Sequence, residues 1–406
     1  MNTDTTTKNS SLITYIIFSC TALLVLLSLV SVIFPALIIS HFGSIQNSLD
    51  QFEIGNNAFM LIGVNLLVFG LGFVYYKRYS SQFSDGLDKL RGFDISKKTA
   101  LIVTLVILLI YVGFTFSELY LDESKQFPDY YILTTSLKLF PSIDTGDVYF
   151  DEQNSRFVRM LLLGVSQNIF DNIKIIPFIS SILLLVFTCL VTISISKKRI
   201  AGIFAMIILM QGHTFLEYDT IAVYENIWVL FFLLSIYTIN RRWYLSGFWY
   251  IMSVFTKAFS VPFLALNIFF ILRENLPTSY KIKIISSYVV SIALVFGLFF
   301  IGETIYDDFI DIDFNRFVNS LTAFSSQMRF DYLLLFTILP VIVGLFFLRR
   351  NGIKHADSLL FFIFSLILVG PLVSLVTDFY SILPYRFLPL IVFFSISVAL
   401  IIFKRN

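Results

Sequence analysis

The sequence predicts an all-α protein that crosses a membrane many times, and three observations carry that prediction. Of 406 residues, 57% are hydrophobic and only 14% charged. Apolar runs of spanning length recur from one end to the other, and the charges gather between them. A soluble chain of this length could not bury so much apolar surface around one core.

The runs that reach or approach the ~20 residues needed to cross hydrocarbon as a helix are Ser11–Ile39, Ala58–Val74, Ala100–Phe116, Ile176–Ile195, Ile200–Met210, Ile227–Ile239, Ile284–Ile301, Tyr332–Leu348, Ser358–Val376 and Phe387–Phe403. The stretch Trp243–Leu272 has room for two short crossings or one long one. About ten to twelve spans follow. The first run far exceeds the apolar core of a secretory signal and only Lys8 precedes it, so it reads as a retained helix. Cys20 and Cys189 both fall inside spans, which supports neither a disulfide framework nor a thiolate metal site.

The net charge of +2 conceals an asymmetry. With the N-terminus inside and the spans alternating, Lys77–Lys98, Lys197–Arg199, Arg241–Arg242, Arg273–Lys283, Arg349–Lys354 and Lys404–Arg405 all face the cytoplasm. The positive-inside rule is then satisfied loop by loop, provided Trp243–Leu272 crosses twice and turns at the outer face. The expectation is a multi-pass protein of the cell membrane with both termini cytoplasmic, in contact with the lipid bilayer and with no nucleic-acid partner.

Three segments follow in order. Residues 1–99 form two helices and a basic cytoplasmic loop, residues 100–320 a central transmembrane region, and residues 321–406 the last helices. The outer loop 121–172 is too long for a connector. Within it, Asp129–Phe140 and Arg156–Phe170 carry apolar residues at helical spacing and read as helices lying in the membrane interface. A second outer segment, Gly302–Asp331, holds Glu303, Asp307, Asp308, Asp311 and Asp313.

The candidates for chemistry are charges at the outer ends of spans, where charge is costly. Asp122 and Glu123 open the long loop; such carboxylates serve as general base, metal ligand or cation site, or simply mark a solvated helix end. Lys257 has apolar sequence on both sides and Arg386 opens the last span. Each suits an anion such as lipid phosphate, and each equally suits an interfacial anchor. Glu225 caps another outer span end, after a turn holding His213, Glu217 and Asp219 that fits no specific metal motif. Arg156 and Arg159 stand one helical turn apart and could receive an anionic group or interfacial phosphates. No Gly-rich phosphate loop, nucleophile elbow or His-Glu-x-x-His is present.

The order of these features resembles the GT-C class of membrane glycosyltransferases, in particular protein O-mannosyltransferases and the aminoarabinose transferases of lipid A. Where that class has W-x-D-E opening its first outer loop, this chain reads Glu118-Leu-Tyr-Leu-Asp-Glu. The A-R-P-D/E element is matched by Ala222-Val-Tyr-Glu225, L-T-K-G-P by Phe255-Thr-Lys257-Ala-Phe, and R-Y-L-L-P-L by Arg386-Phe-Leu-Pro-Leu. Val223 replaces the Arg and Ala258 the Gly of those elements. The resemblance spans roughly residues 100–406 and leaves the first two helices outside it.

It implies a GT-C-like bundle whose active site, at the outer face, moves a sugar from a polyprenyl-phosphate donor to a protein, glycan or lipid acceptor with inversion. Asp122 would be the base, aided by Glu123. Lys257 and Arg386 would hold the donor phosphate, and Glu225, Arg156 and Arg159 the sugar or acceptor. No metal site is assigned, although a divalent cation is compatible with the carboxylates. The competing readings are a transporter or flippase of a lipid-linked or anionic solute, and a non-catalytic membrane subunit.

Overall fold

The computed structural model describes residues 3–36, 50, 52–77, 81–141, 156–299, 312–328, 330–376 and 383–403. Among them every regular element is a helix. Glu303, Asp307, Asp308 and Asp311 lie outside the described residues, as do positions 142–155 of the long loop.

Among the described residues seven helices are long and apolar enough to cross a membrane: Leu12–Ile33, Ala58–Lys77, Lys97–Tyr120, Ile175–Ser196, Tyr332–Arg350, His355–Leu375 and Pro384–Phe403. This is a multi-pass α-helical membrane protein. Part of the difference from ten to twelve lies in short apolar helices such as Arg199–Met210 and Ile227–Ile239, and part in the run Ile284–Ile301, whose last residues lie outside the described ones. A 12-residue helix rises only about 18 Å at 1.5 Å per residue, well short of a ~30 Å hydrocarbon layer.

By contact the chain forms two compact units, one of Met1–Asp94 with Tyr306–Asn406, the other of Ile95–Ile305. In the first, α1 (Thr3–Ile33) and α2 (Ala58–Lys77) come from the beginning of the chain, and α3 (Ser81–Gly92) follows them.

The second unit holds α4 (Lys97–Thr115), α5 (Asp129–Leu139), α6 (Phe157–Phe170), α7 (Ile175–Ser196), α8 (Arg199–Met210), α9 (His213–Glu217), α10 (Ile227–Ile239), α11 (Tyr244–Thr256), α12 (Leu264–Arg273) and α13 (Thr278–Phe299). The end of the chain returns to the first unit as α14 (Phe314–Met328), α15 (Tyr332–Arg350), α16 (Lys354–Val376) and α17 (Leu388–Phe403).

In the first unit the two opening helices are built into the closing ones. α1 packs on α14, α15 and α16, and α2 on α15. Asn65 donates from its side chain to the Phe336 carbonyl at 3.1 Å. Arg91 on α3 donates to the Tyr75 hydroxyl at 2.8 Å and to the Ile401 carbonyl in the last turn of α17 at 3.3 Å, a helix end that favours a cation. Helix α14, which falls inside the segment read from sequence as an outer loop, packs on α1 and α16.

The second unit is built around α10, whose side chains are buried on every face except at Tyr237. A helix apolar all round belongs inside a bundle. It is lined by α7 and α11. Polar side chains within α7 are satisfied on their own helix: Thr188 donates to Leu184 O, Thr192 to Thr188 O and Ser196 to Thr192 O, each at 2.7 Å. Such back-bonding is what tolerates hydroxyls away from water.

Small residues permit the closest helix approaches. A Cβ on Gly202 would stand 2.7 Å from the Cys189 carbonyl oxygen, and one on Gly247 would stand 2.9 Å from that of Ser287. By contrast α4 exposes Leu101, Leu105 and Leu109 along one face, as a helix at the lipid boundary does.

The two helices expected in the long loop are α5 and α6, within a residue of their sequence limits at their N-termini. The stretch Trp243–Leu272 folds as α11, a 3-10 helix (Ala258–Phe263) and α12, and the chain doubles back at Lys257. Ser253 Oγ meets Ser260 Oγ at 2.9 Å and Tyr250 donates to Val261 O at 2.7 Å, nested pairs that define the reversal.

Candidate functional site

Alternation of α4, α7, α8, α10 and α11 brings one set of helix ends together within the second unit. There the chain between α9 and α10, residues 218–226, runs without regular structure, and most of it is buried. Its peptide groups need partners from outside the segment, and charged side chains supply them.

Glu123 follows α4 through a 3-10 helix, Phe116–Tyr120. Its carboxylate is buried and accepts from the backbone N–H of Ala222 at 2.9 Å and of Val223 at 3.2 Å. The Lys174 ammonium lies 3.7 Å away and also donates to the carbonyls of Glu118 (2.7 Å) and Leu121 (3.1 Å). Burial pushes the Glu123 carboxyl above the ordinary range, against the two N–H groups and Lys174, which pull it down.

Arg159 binds the carbonyls of the same two residues. It donates to Val223 O at 2.7 Å and to Ala222 O at 3.4 Å, while its Nε stands 2.9 Å from Glu225 Oε2. Both partners of this ion pair are buried. Helix α6 can present Arg159 there because Val158 packs into the cluster of Ile227, Leu230, Phe231 and Leu234 on α10.

Asp122, one residue before Glu123, is fully exposed. Its Oδ1 accepts from the Ser124 N–H at 3.0 Å and the Ser124 hydroxyl at 2.7 Å. These bonds favour the charged form and hold its carboxyl below the usual carboxylate range. The acidic pair is thus divided: Glu123 is fixed to the fold, and Asp122 faces outward, ionised at neutral pH.

Asp219 is buried, accepts from the Tyr111 hydroxyl at 2.6 Å, and has its carboxyl pushed up to about 8, first by burial and further by nearby Glu118. Ser181 donates to Asp219 O at 2.7 Å, and Asn226 donates to Ser181 Oγ at 3.2 Å and to Tyr218 O at 3.1 Å. Tyr224 points the other way, donating to Asp129 at 2.8 Å beneath the Phe127 ring.

Lys257 lies at the tip of the hairpin and is only 7% exposed. Its ammonium stands 5.7 Å from the centre of the Trp228 ring, in the first turn of α10. Arg156 is a half-buried residue just before α6. Arg386 belongs to the other unit, in a 3-10 helix (Pro384–Phe387) ahead of α17, with its guanidinium 5.6 Å from the Tyr385 ring centre.

Thus Glu123, Arg159 and Glu225 converge on one turn, with Asp122 beside them and Lys257 just beyond. His213 and Glu217 pair with each other at 3.5 Å in an exposed position, apart from buried Asp219. Among the described residues no three His, Cys, Asp or Glu side chains gather as metal ligands.

Sequence reasoning passed over Lys174, Trp228 and the Asp219–Tyr111 pair. Lys174 carried a usable signal, being a lysine that directly precedes a long apolar run. Trp228 carried none, since an indole within an apolar run reads as core. No protein-family model matches this chain, and neither a characterised protein nor a solved structure does so.

Proposed function

We propose that the chain is a membrane glycosyltransferase that takes a sugar from a polyprenyl-phosphate donor and passes it to an acceptor at the outer face of the cell membrane. The observation that carries this reading is the division of labour at Asp122 and Glu123. A base must be ionised, accessible and held rigidly. Asp122 is exposed with a lowered pKa, and its neighbour is anchored to the buried turn through two backbone hydrogen bonds.

In the proposed step Asp122 accepts the proton of the acceptor nucleophile as that atom bonds to the anomeric carbon. The bond from that carbon to the phosphate oxygen breaks, and the polyprenyl phosphate leaves with the electron pair. One base and one displacement invert the anomeric centre. Lys257 stabilises the charge that grows on the departing phosphate, where a preorganised cation is most effective. Glu225, Arg156 and Arg159 act around sugar and acceptor, with Arg159 and Glu225 doing so through the turn they hold.

The orientation rests on charge. In the second unit Lys97, Lys98, Lys197, Lys198, Arg241 and Arg242 occupy the helix ends opposite Asp122, and basic ends stay in the cytoplasm.

The test is transfer of labelled sugar from a panel of polyprenyl-phosphate donors by membranes containing the protein, with Asp122→Asn alongside. Transfer by wild type alone is expected. Equal transfer by both removes Asp122 as the base, and no transfer with any donor from folded protein overturns the reading.

A further inference from the structure

Helix α13 has two unlike faces. On one, Ile284 and Tyr288 are buried, and Tyr288 shares a 2.6 Å hydrogen bond with Ser246 of α11. On the other, Ile282, Val289 and Val290 are each more than half exposed. These three, with Ile285 and Ser286, line an open groove of about 380 Å³. Ser286 has the smallest side chain of the five, and four branched ones stand around it.

The start of α13 carries the marks of a membrane surface. The Trp243 ring centre lies 6.1 Å from that of Tyr280 and 6.1 Å from that of Tyr244, and Trp and Tyr gather at the level of the headgroups. Residues 273–283 hold Arg273, Lys281 and Lys283 against Glu274 alone. The first turn of the helix adds its positive end. Lys281 is engaged, donating to the Leu272 carbonyl at 2.6 Å. Lys283 is exposed and has no ion pair among the described residues. Side chains in a helix tilt toward its N-terminus, so Lys283 extends toward the aromatic level, with Ser286 and Val290 beneath it on the same face.

Ser286 adds a second polar group to that face. Its neighbour Ser287 donates to the Ile284 carbonyl at 2.7 Å; Ser286 has no such bond among the described residues. From the helix start inward, the face thus offers a cation, a hydroxyl and an apolar groove. Lys283 and Ser286 are about 4.5 Å apart along the axis, and the groove runs on for about 12 Å from Ile282 to Val290. A glycerophospholipid presents its groups in the same order: a phosphate, ester carbonyls, then acyl chains.

We propose that this face of α13 binds one anionic glycerophospholipid from the leaflet that meets the start of the helix. Its phosphate pairs with Lys283, an ester carbonyl accepts from Ser286, and one acyl chain fills the groove. A zwitterionic phospholipid carries its own cation and gains less from Lys283. A prenyl phosphate has no ester for Ser286.

The test is lipid binding and involves no sugar transfer, so it stands apart from the transferase reading. Purified full-length protein in detergent micelles is titrated with dioleoyl phosphatidylglycerol, dioleoyl phosphatidylcholine or farnesyl phosphate, and bound lipid is counted by native mass spectrometry. Phosphatidylglycerol is expected to bind saturably and more tightly than either of the others. One lysine at a membrane surface is worth about fivefold in affinity for an anionic lipid. Lys283→Gln should therefore weaken phosphatidylglycerol about fivefold, and Lys283→Arg should retain it. Ser286→Leu, which fills the groove and removes the hydroxyl, should weaken both phospholipids. Both positions are exposed, so these changes leave the packed face of α13 intact.

Equal wild-type affinity for the two phospholipids overturns the proposal, as does wild-type affinity for phosphatidylglycerol in Lys283→Gln or Ser286→Leu. Tighter binding of farnesyl phosphate than of phosphatidylglycerol overturns it by naming a different occupant. Thermal unfolding gives a second readout on the unaltered chain. A ligand of the folded state raises the melting temperature, so phosphatidylglycerol should raise that of wild type more than phosphatidylcholine does. Equal rises with the two lipids overturn it equally.

Discussion

Glu123 and Arg159 hold the backbone of the same two residues: the carboxylate accepts the N–H groups of Ala222 and Val223, and the guanidinium donates to their carbonyls. Four backbone groups that could find no water in a packed bundle are thereby satisfied by two charged side chains from segments 36 positions apart in number. Each charge is balanced in turn, Glu123 by Lys174 and Arg159 by Glu225.

Removing either side chain leaves its ionic partner buried without a counter-charge. Glu123→Ala and Arg159→Ala should therefore each lose about 3 kcal/mol of stability. Because both act on one dipeptide, the double variant should lose less than the sum, with a coupling of about 1 kcal/mol or more. Thermal unfolding of the four proteins in one detergent provides the cycle, and strictly additive losses would show that the two do not share a target.

The neighbouring acid should behave oppositely. Asp122 is exposed and, among the described residues, bonds to Ser124 alone, so Asp122→Asn should leave the melting temperature where it is while abolishing transfer. Glu123→Gln should lower the melting temperature and reduce transfer in proportion to folded protein. A variant at Glu123 that is fully folded and wholly inactive would reverse the assignment of roles.

Asp219 makes stability depend on pH. Its folded carboxyl titrates near 8 and its unfolded one near the ordinary value of about 4. Between those values the native state holds a proton that the unfolded chain has released. Stability is thus complete below about pH 4 and falls as pH rises through 8. The raised Glu123 acts in the same direction, and the lowered Asp122 in the opposite one. Wild-type protein should melt higher at pH 5 than at pH 8, and Asp219→Asn should flatten that difference; an unchanged slope would dismiss Asp219 as its source.

The contact of α11 with α13 is set by Gly247. Alanine there would bring a Cβ to 2.9 Å from the Ser287 carbonyl oxygen, next to the 2.6 Å hydrogen bond between Ser246 and Tyr288. Gly247→Ala should cost about 1–3 kcal/mol through forced separation of the helices. Gly113→Ala on α4, where nothing lies within 4 Å of the new Cβ, should be neutral or slightly stabilising. Equal effects at the two sites would mean that the helices separate freely.

These cases mark what the residues announced in advance. Long apolar runs declared the spanning helices because their cause is local: twenty apolar residues in a row suit few other fates. The reversal within Trp243–Leu272 was legible because the positive-inside rule holds loop by loop only if that stretch turns back on itself. Asp122 and Glu123 could not be told apart, since adjacent carboxylates differ only in what the rest of the chain brings to them, and Glu123 meets a turn 99 positions further on. Arg159 and Glu225 were visible as charges but not as partners for the same reason. The short helix Ile227–Ile239 read as a span, because hydropathy does not distinguish a helix surrounded by lipid from one surrounded by other helices.

The arrangement of the two units sets a timetable for synthesis. Helices α1 and α2 leave the ribosome first, yet the segments they pack against, α14 to α16, are made only after the whole of Ile95–Ile305 has been added. At the usual ~5–20 residues per second that interval is roughly ten to forty seconds. Through that time the nascent first helices sit in the bilayer without their native neighbours, and Asn65, whose partner Phe336 does not yet exist, keeps only the part of its bonding that its own helix supplies at the Leu61 carbonyl. The second unit, contiguous in sequence, is free to fold while they wait.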